Sequence, residues 1–340
     1  MSEFVTLDEI RTAQRRIDGV SVRTPLYRVE RARLRMNGLP EPAFDLYIKA
    51  ESEQPIGSFK LRGAYNMVAQ LPEAELRRGV ITYSSGNHAQ GVAYAARALG
   101  TKAVIVMPEN APEVKKKATA ALGAEIVLVG NASSERKLRA EELVAEFGYA
   151  MIPPYDHAHI IAGQATCGLE IVEQLPGVDL VISPVSGGGL LSGTATSVKR
   201  AAEVGLVKST VQVWGAEPEL AADAKESFYG KVLVEWPAAK TTRTIGDGLR
   251  TQSMGVLNFE HVLRFVDGIV TMTEDEILAA MRVMLCATKL VPEPSGAVTL
   301  AAALFHAEEL PKAEKVAVIL SGGNLEPALR EQLESELAAR

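Results

Sequence analysis

The sequence predicts a doubly wound α/β protein built on open, mostly parallel sheets. Three observations predict it. Short β-branched runs alternate with helical patterns along the 340 residues, the runs are apolar throughout, and three of them end in Ser/Gly turns that lead into helical patterns. Continuously apolar strands belong to sheets covered on both faces, and regular strand–helix alternation belongs to parallel ones.

The chain opens with Thr6, Leu7, Asp8 and Glu9, a capping box, and Ile10, Ala13 and Ile17 follow at helical spacing. Strands are expected at residues 79–84 (GVITYS), 102–108 (KAVIVMP), 125–129 (EIVLV), 178–185 (VDLVISPV), 210–214 (TVQVW) and 315–320 (KVAVIL). Helices are expected at 114–122, 134–147, 162–175 and 273–289, the last opened by a second capping box from Thr273 to Glu276. This length suggests two domains or one large one, yet no repeat or Pro/Gly-rich linker marks a boundary.

Composition excludes several classes. Lys plus Arg number 36 and Asp plus Glu 42, a net charge of −6, so there is no basic excess to displace the counterions of a nucleic acid. Cys167 and Cys286 are far apart and lack CxxC or Cys/His spacing, which supports neither a disulfide framework nor zinc and makes a reducing cytoplasm the simplest setting. The N-terminus has no apolar h-region, and no run of about 18 apolar residues occurs, so neither a signal peptide nor a membrane span is expected.

The three turns are Ser84-Ser85-Gly86-Asn87-His88, Ser186-Gly187-Gly188-Gly189-Leu190 and Ser321-Gly322-Gly323-Asn324. Each can be a plain βα connection, but bare N–H groups before a helix also make an anion pocket, and three at strand ends should converge on one crevice. The triple glycine is the strongest phosphate candidate. The P-loop pattern GxxxxGK[ST] is absent, and residues 187–192 lack the third glycine of GxGxxG. A nicotinamide dehydrogenase, with Glu217 as its ribose-binding acid, is therefore a weaker rival.

Lys60 follows the turn Pro55-Ile56-Gly57 and precedes the stripe Ala64, Met67, Val68 and Leu71, which places it in the first turn of a helix. A cation is disfavoured there, so its pKa should fall, and a lysine poised to be neutral can form a Schiff base. A first-turn lysine can equally be a solvated surface residue.

Together GSFKLRGAYN (57–66), SSGNHAQG (84–91), SGGGL (186–190) and SGGNLEP (321–327) resemble the serine/threonine dehydratase and serine racemase family. These are fold-type II (tryptophan synthase β-like) pyridoxal 5′-phosphate enzymes, and the motifs keep the same order over nearly the whole chain. The resemblance implies two doubly wound domains, residues 1–54 with 155–340 and residues 55–154, with the cofactor in the cleft between them. It also implies a homodimer acting on a small amino acid, in the cytoplasm.

Carried over residue by residue, the resemblance makes Lys60 the Schiff-base lysine and Phe59 a packing face for the ring. Asn87 would bond the ring hydroxyl, while Ser186, Gly187, Gly188, Gly189 and Leu190 would hold the phosphate. Ser321 would meet the ring nitrogen, where a neutral hydroxyl makes the ring a weaker electron sink than a carboxylate would and favours loss of a β-substituent. Substrate carboxylate would meet Ser84, Ser85, Asn87 and His88. Arg136 resembles a racemase arginine near the substrate, or is an ordinary helix arginine, and His88 can be a structural histidine. Glu293 aligns with a glutamate below the ring, or forms a helix-terminal ion pair. Ser85, where many threonine dehydratases carry Ala, makes racemisation chemically possible from the face opposite Lys60.

The segment EPELAAD (217–223) resembles the divalent-cation site of eukaryotic serine racemases and several bacterial relatives, which implies Glu217, the Ala221 carbonyl and Asp223 as ligands of Mg²⁺ or Ca²⁺; an acidic helix start explains the same residues without metal. The resulting expectation is a dehydratase acting on a 3-hydroxy amino acid of serine, threonine, 3-hydroxyaspartate or phenylserine type. An amino-acid racemase using Lys60 and Ser85 is the alternative, and a non-catalytic amino-acid sensor is a further one. The segment Gln54-Pro55-Ile56 departs from the family pattern, which allows a changed pocket.

Overall fold

The computed structural model describes residues 4–338 except 40, 85, 112, 131 and 132. Its strands are β1 (Leu26–Arg28), β2 (Asp45–Ala50), β3 (Val80–Tyr83), β4 (Ala103–Pro108), β5 (Glu125–Val129), β6 (Ala150–Met151), β7 (Leu180–Pro184), β8 (Gln212–Pro218), β9 (Gly268–Met272) and β10 (Lys315–Leu320). The first helices are α1 (Leu7–Ile17), α2 (Arg31–Met36), α3 (Lys60–Val68), α4 (Glu73–Arg78), α5 (Asn87–Ala98), α6 (Glu113–Ala121) and α7 (Ser133–Phe147). They are followed by α8 (Ala158–Gln174), α9 (Gly189–Glu203), α10 (Asp223–Gly230), α11 (Ala238–Thr241), α12 (Val256–Phe265), α13 (Glu274–Val283), α14 (Pro294–Phe305) and α15 (Pro327–Ala338).

Among the described residues the strands form two sheets. One has the order β1-β2-β10-β7-β8-β9 and is parallel apart from the antiparallel β1–β2 pair. The other, β5-β4-β3-β6, is wholly parallel and is inserted in the chain between β2 and β7. In the larger sheet β10 lies between β2 and β7, so the last strand of the chain is its centre. The segments that leave the C-terminal ends of these three strands share one edge, where open α/β sheets bind ligands.

Both capping boxes form, Thr6 with Glu9 and Thr273 with Glu276. The six expected strands are present, although the one expected at 210–214 runs over Gln212–Pro218. The helix expected at 162–175 begins at Ala158, and that expected at 273–289 passes into a π turn at Met284–Thr288 before Lys289, at φ 63°, ends it. Four strands, β1, β2, β6 and β9, were not anticipated: β1 and β6 are three and two residues long, and β2 carries a buried lysine, Lys49, within its run. β5 also departs from a strand covered on both faces: at its sheet edge Glu125 and Leu128 are exposed.

Buried aliphatic residues fill the layers between the sheets and their helices. No disulfide joins Cys167 to Cys286. Among the described residues, no helix is long and apolar enough to cross a membrane.

Helices α8 and α9 approach at Gly193, where a Cβ would meet Ala165 N and Ile161 O, both at 2.7 Å. Backbone atoms cannot swing aside. Gly193→Ala is therefore expected to cost about 1–3 kcal/mol through overpacking, read as a lower urea midpoint at unchanged slope.

Candidate functional site

Lys60 opens α3, with Phe59 at the N-cap. Its segment is pinned to the end of β10 by backbone alone: Phe59 N donates to Ser321 O at 3.0 Å, Ser58 bridges Gly322, and Gly323 N donates to Gly57 O at 2.9 Å. The third glycine turn thus differs from the expectation of a turn leading directly into a helix, since α15 starts only at Pro327. Its function is to bring Ser321, which is buried, beside the lysine segment.

The Lys60 amine donates to Pro154 O at 2.8 Å and stands 5.2 Å from the Phe59 ring centre. The side chain keeps some exposure, as a group that must be reached requires. Burial pushes its pKa down to about 8, against an opposing pull from the Glu293 charge. The direction matches the sequence expectation; the leading cause is enclosure.

The triple-glycine turn lies between β7 and α9, and Tyr155, next to the Pro154 that receives Lys60, packs against it. Gly188, at φ 95°, is the N-cap of α9, a backbone shape that disfavours any side chain, and a Cβ there would meet Asn258 Cβ at 2.7 Å. A Cβ on Gly187 would strike the Tyr155 ring. Only bare backbone fits, and the first N–H groups of a helix, here those from Gly189 and Leu190 onward, have no intrahelical acceptor. A phosphate is the ligand such a cradle suits. Ser186 Oγ pairs with Thr251 Oγ1 at 2.6 Å and accepts from Thr251 N at 3.2 Å.

Asn87, the first residue of α5, is oriented from both sides. Its Nδ2 donates to Glu293 Oε1 at 2.8 Å, and its Oδ1 accepts from Asn324 Nδ2 at 2.7 Å. Glu293 is the buried N-cap of α14, and burial pushes its pKa up to about 8. The structure therefore joins Asn87, Glu293 and the 322–324 turn into one cluster beside Lys60.

His88 is buried, and Ile152 O, an acceptor only, lies 3.0 Å from its Nε2, which fixes the proton on that nitrogen. Burial and the nearby Lys60 charge push its pKa down to about 3. It is held neutral as a link from α5 to the segment after β6, and this supports the structural of its two readings. Ser84 Oγ accepts from Gly86 N at 3.3 Å, at the end of β3. Ser85 lies outside the described residues. Arg136 is partly buried on the first turn of α7, which follows β5 at the same C-terminal edge, and burial lowers its pKa.

Glu217 ends β8 and Asp223 begins α10, with Ala221 in the 3-10 turn between them; all three are buried. Glu217 Oε1 accepts from Lys225 N at 2.6 Å, whereas Glu217 Oε2 and both Asp223 carboxylate oxygens have no partner from another residue. Burial, then the Asp223 charge, raises Glu217 well above the usual carboxylate range, and burial raises Asp223 to about 7.

Sequence reasoning missed three neighbours of the site. Tyr155 roofs the glycine cradle, with its hydroxyl pushed up to about 12 by burial; Pro154 supplies the carbonyl that receives Lys60; Asn324 orients Asn87. The two prolines at 153 and 154 were the available signal that this segment is fixed.

An enclosed lysine bonded to Pro154 O, with the adjacent Tyr155 packed on a turn of bare glycine backbone, is an arrangement that suits a phosphorylated aldehyde cofactor. Residues 17–322 match the family described as pyridoxal-phosphate dependent enzyme, and the chain belongs to that family. It is 40% identical over 281 residues to an L-threo-3-hydroxyaspartate ammonia-lyase of Saccharomyces cerevisiae, covering 83% of each chain. It is 35% identical to a serine racemase of Schizosaccharomyces pombe over 94% of each chain. The crystal structure of a T.th. threonine deaminase matches at a TM-score of 0.85 with 42% identity, over 94% of this chain and 99% of that one.

The Lys60 pKa predicts a pH dependence. Between pH 8 and the ordinary 10.5 the unfolded chain keeps the Lys60 proton while the folded chain has released it, so this group makes the folded state more stable as pH rises through that window. The neutral amine is the nucleophile. Capture of pyridoxal 5′-phosphate by cofactor-free protein, followed by absorbance, should rise about tenfold per pH unit below pH 8 and level off above it. A rate still climbing at about pH 10 contradicts the assignment.

Proposed function

We propose that the protein is a pyridoxal-phosphate-dependent ammonia-lyase that converts a 3-hydroxy-L-amino acid, of serine, threonine, 3-hydroxyaspartate or phenylserine type, to a 2-oxo acid and ammonia. One observation carries the reading: an enclosed lysine, its pKa about 8, is bonded to Pro154 O, and the next residue, Tyr155, covers a cradle of bare glycine backbone. Residues 1–54 with 155–340, and residues 55–154, are taken as the two lobes, in keeping with the insertion of one sheet into the chain of the other.

The residues fit the cofactor. Lys60 would hold its aldehyde carbon, the backbone of Ser186, Gly187, Gly188, Gly189 and Leu190 its phosphate, Asn87 its ring hydroxyl and Ser321 its ring nitrogen, with Phe59 against the ring. When bound, the cofactor supplies an electron-withdrawing ring that stabilises negative charge at the substrate carbon bearing the amino group. Once the substrate's amino group has taken its place on the aldehyde carbon, the freed Lys60 Nζ would be the base that takes the proton from the substrate carbon. Ser321 Oγ carries no charge, so it would not hold a proton on the ring nitrogen as a carboxylate would, which would favour expulsion of the β-hydroxyl over return of the proton. Ser84, Ser85 and Asn87 would orient the substrate carboxylate, with Arg136 near the substrate, while His88, held to Ile152 O, supports the start of α5. Overall the substrate loses water across Cα and Cβ and regains it at Cα as ammonia leaves.

Lys60→Ala is expected to lower kcat by at least about a thousandfold in 2-oxo acid release with the four hydroxy amino acids, and to abolish fixation of the cofactor by borohydride. Substantial retained turnover contradicts the reading. Racemisation is the second reading, supported by the serine racemase relative. Chiral analysis of serine after incubation with wild type and Ser85→Ala separates the two, since loss of D-serine with retained 2-oxo acid release marks Ser85 as the second-face acid.

The carboxylate pair fits a divalent cation. Buried carboxylate oxygens without partners are costly, and Mg²⁺ or Ca²⁺ held by Glu217, the Ala221 carbonyl, Asp223 and water would satisfy them. Among the described residues no group of three His, Cys, Asp or Glu side chains gathers, so such an ion would rest on two side chains only. Mg²⁺ or Ca²⁺ at about a hundred times its Kd should add about 2.7 kcal/mol of stability over chelator-treated protein, seen as a higher Tm. Glu217→Gln with Asp223→Asn should lose that response; a rise that persists in this variant places the ion elsewhere.

A further inference from the structure

Two residues beyond Lys60 lies Arg62, a fully buried arginine that none of the chemistry above uses. At about 100° per residue the two side chains leave nearly opposite sides of the first turn of α3. Lys60 faces the cofactor crevice, and Arg62 points back into the fold. Its Nε and Nη2 donate to Glu51 Oε2 and Oε1 at 2.7 and 2.8 Å, while Nη1 and Nη2 donate to Glu170 Oε1 and Oε2 at 2.6 and 2.8 Å. Nη1 also reaches Thr166 Oγ1 at 3.1 Å, and Nη2 reaches Val22 O at 3.3 Å.

The two carboxylates are themselves fixed. Lys49 Nζ donates to Glu170 Oε2 at 2.6 Å, Thr24 Oγ1 to Glu51 Oε1 at 2.6 Å, and Gln54 Nε2 to Glu51 Oε2 at 3.1 Å. Lys49, Arg62, Glu51 and Glu170 form a neutral, dry quartet joining β2 and the turn after it to α3 and α8. Burial alone would raise Glu51, but the Arg62 charge and fork hold it down at about 2, so Glu51 stays ionised beside Arg62. Apolar residues of similar volume often stabilise a core as well as such a cluster does, so stability alone does not account for it. A guanidinium gripped along two of its edges supplies what apolar packing lacks, a fixed orientation.

Orientation matters here because α3 already lies as close to α8 as backbone permits. A Cβ on Gly163 would meet Gly63 Cα at 2.6 Å and Arg62 O at 2.7 Å. The Gly63–Gly163 contact itself has no side chains to interlock; Gly63 N donates to Gln164 Oε1 at 3.2 Å and Asn66 Nδ2 to His159 O at 2.6 Å further along α3, and Arg62 supplies the charged clamp in the first turn, the one that carries Lys60. With the amine about 8 Å from the helix axis, a roll of about 10° moves it more than about 1 Å, a misplacement able to cost about a hundredfold in rate.

We propose that Arg62 is the positioning residue of Lys60: forked into Glu51 and Glu170, it sets the rotation of α3 about its own axis and so aims the lysine amine at the cofactor. This rests on Lys60 being the cofactor lysine. The test uses holoenzyme and three readouts: kcat and KM for 2-oxo acid release, the induced circular dichroism of the bound cofactor, and borohydride fixation mapped by mass spectrometry.

Arg62→Lys keeps the charge and loses the fork. It should lower kcat about tenfold or more with KM within about threefold, and weaken the induced signal, while borohydride still fixes the cofactor on Lys60. Thr166→Val, similar in shape, removes one of the two acceptors at Nη1 together with the hydroxyl's own bond to Gly163 O, and keeps the test readable if Arg62→Lys does not fold; it should lower kcat about twofold to threefold and weaken the signal in the same direction. Leu169→Ala opens a cavity on α8 and should lower the Tm without moving either readout. Wild-type kcat and dichroism in the folded Arg62→Lys protein, or in Thr166→Val if that is the variant read, overturn the inference, as does reproduction of the effect by Leu169→Ala. Wild-type protein that borohydride does not label at Lys60 overturns the cofactor assignment itself, and this inference with it.

Discussion

Everything at this site depends on one amine being kept enclosed but reachable. An exposed lysine is a solvated cation, slow to attack a carbonyl and free to sample many rotamers. Enclosure removes the hydration that favours its charge, and the bond to Pro154 O together with the Phe59 ring leaves the amine one place to stand. The fold supplies that enclosure by threading its last strand, β10, between β2 and β7, so that the 321–323 turn and the 57–59 segment bond to each other through backbone alone. Side chains at these positions are then left for chemistry.

The surrounding charges follow from the same enclosure. Glu293, pushed up to about 8, and His88, pushed down to about 3, are both drawn toward neutrality beside the lysine. The ionised groups lie behind the helix, in the Lys49–Glu170–Arg62–Glu51 quartet, where full pairing makes their charge tolerable. The site thus keeps a neutral interior facing the crevice and a rigid ionic anchor on the far side of the same helical turn. Phosphate, the one strong negative charge the crevice would take, meets helix N–H groups instead of a basic side chain.

Much of this is legible in the order of the residues alone. Capping boxes at Thr6 and Thr273, six strands and the three glycine turns depend on local chemistry, and local chemistry is what a sequence displays. Lys60, the triple glycine and the Glu217/Asp223 pair could be named because their motifs are contiguous. The contacts that give those residues their properties were not legible, because each joins distant parts of the chain: Asn87 to Glu293 and Asn324, Lys60 to Pro154, Tyr155 to Gly187. Strand β2 was missed for a related reason, since its buried Lys49 looks polar until Glu170 is seen beside it. Arg62 stood inside the quoted motif and drew no notice, as nothing in GSFKLRGAYN shows that its partners come from β2's following turn and α8.

The most direct measurement is a crystal structure of the protein grown with pyridoxal 5′-phosphate. The account predicts continuous density from Lys60 Nζ into the cofactor, with the phosphate against the backbone N–H groups of Gly187, Gly188 and Gly189 under the Tyr155 ring. Density joined to another lysine, or a phosphate lying outside that glycine turn, would contradict it.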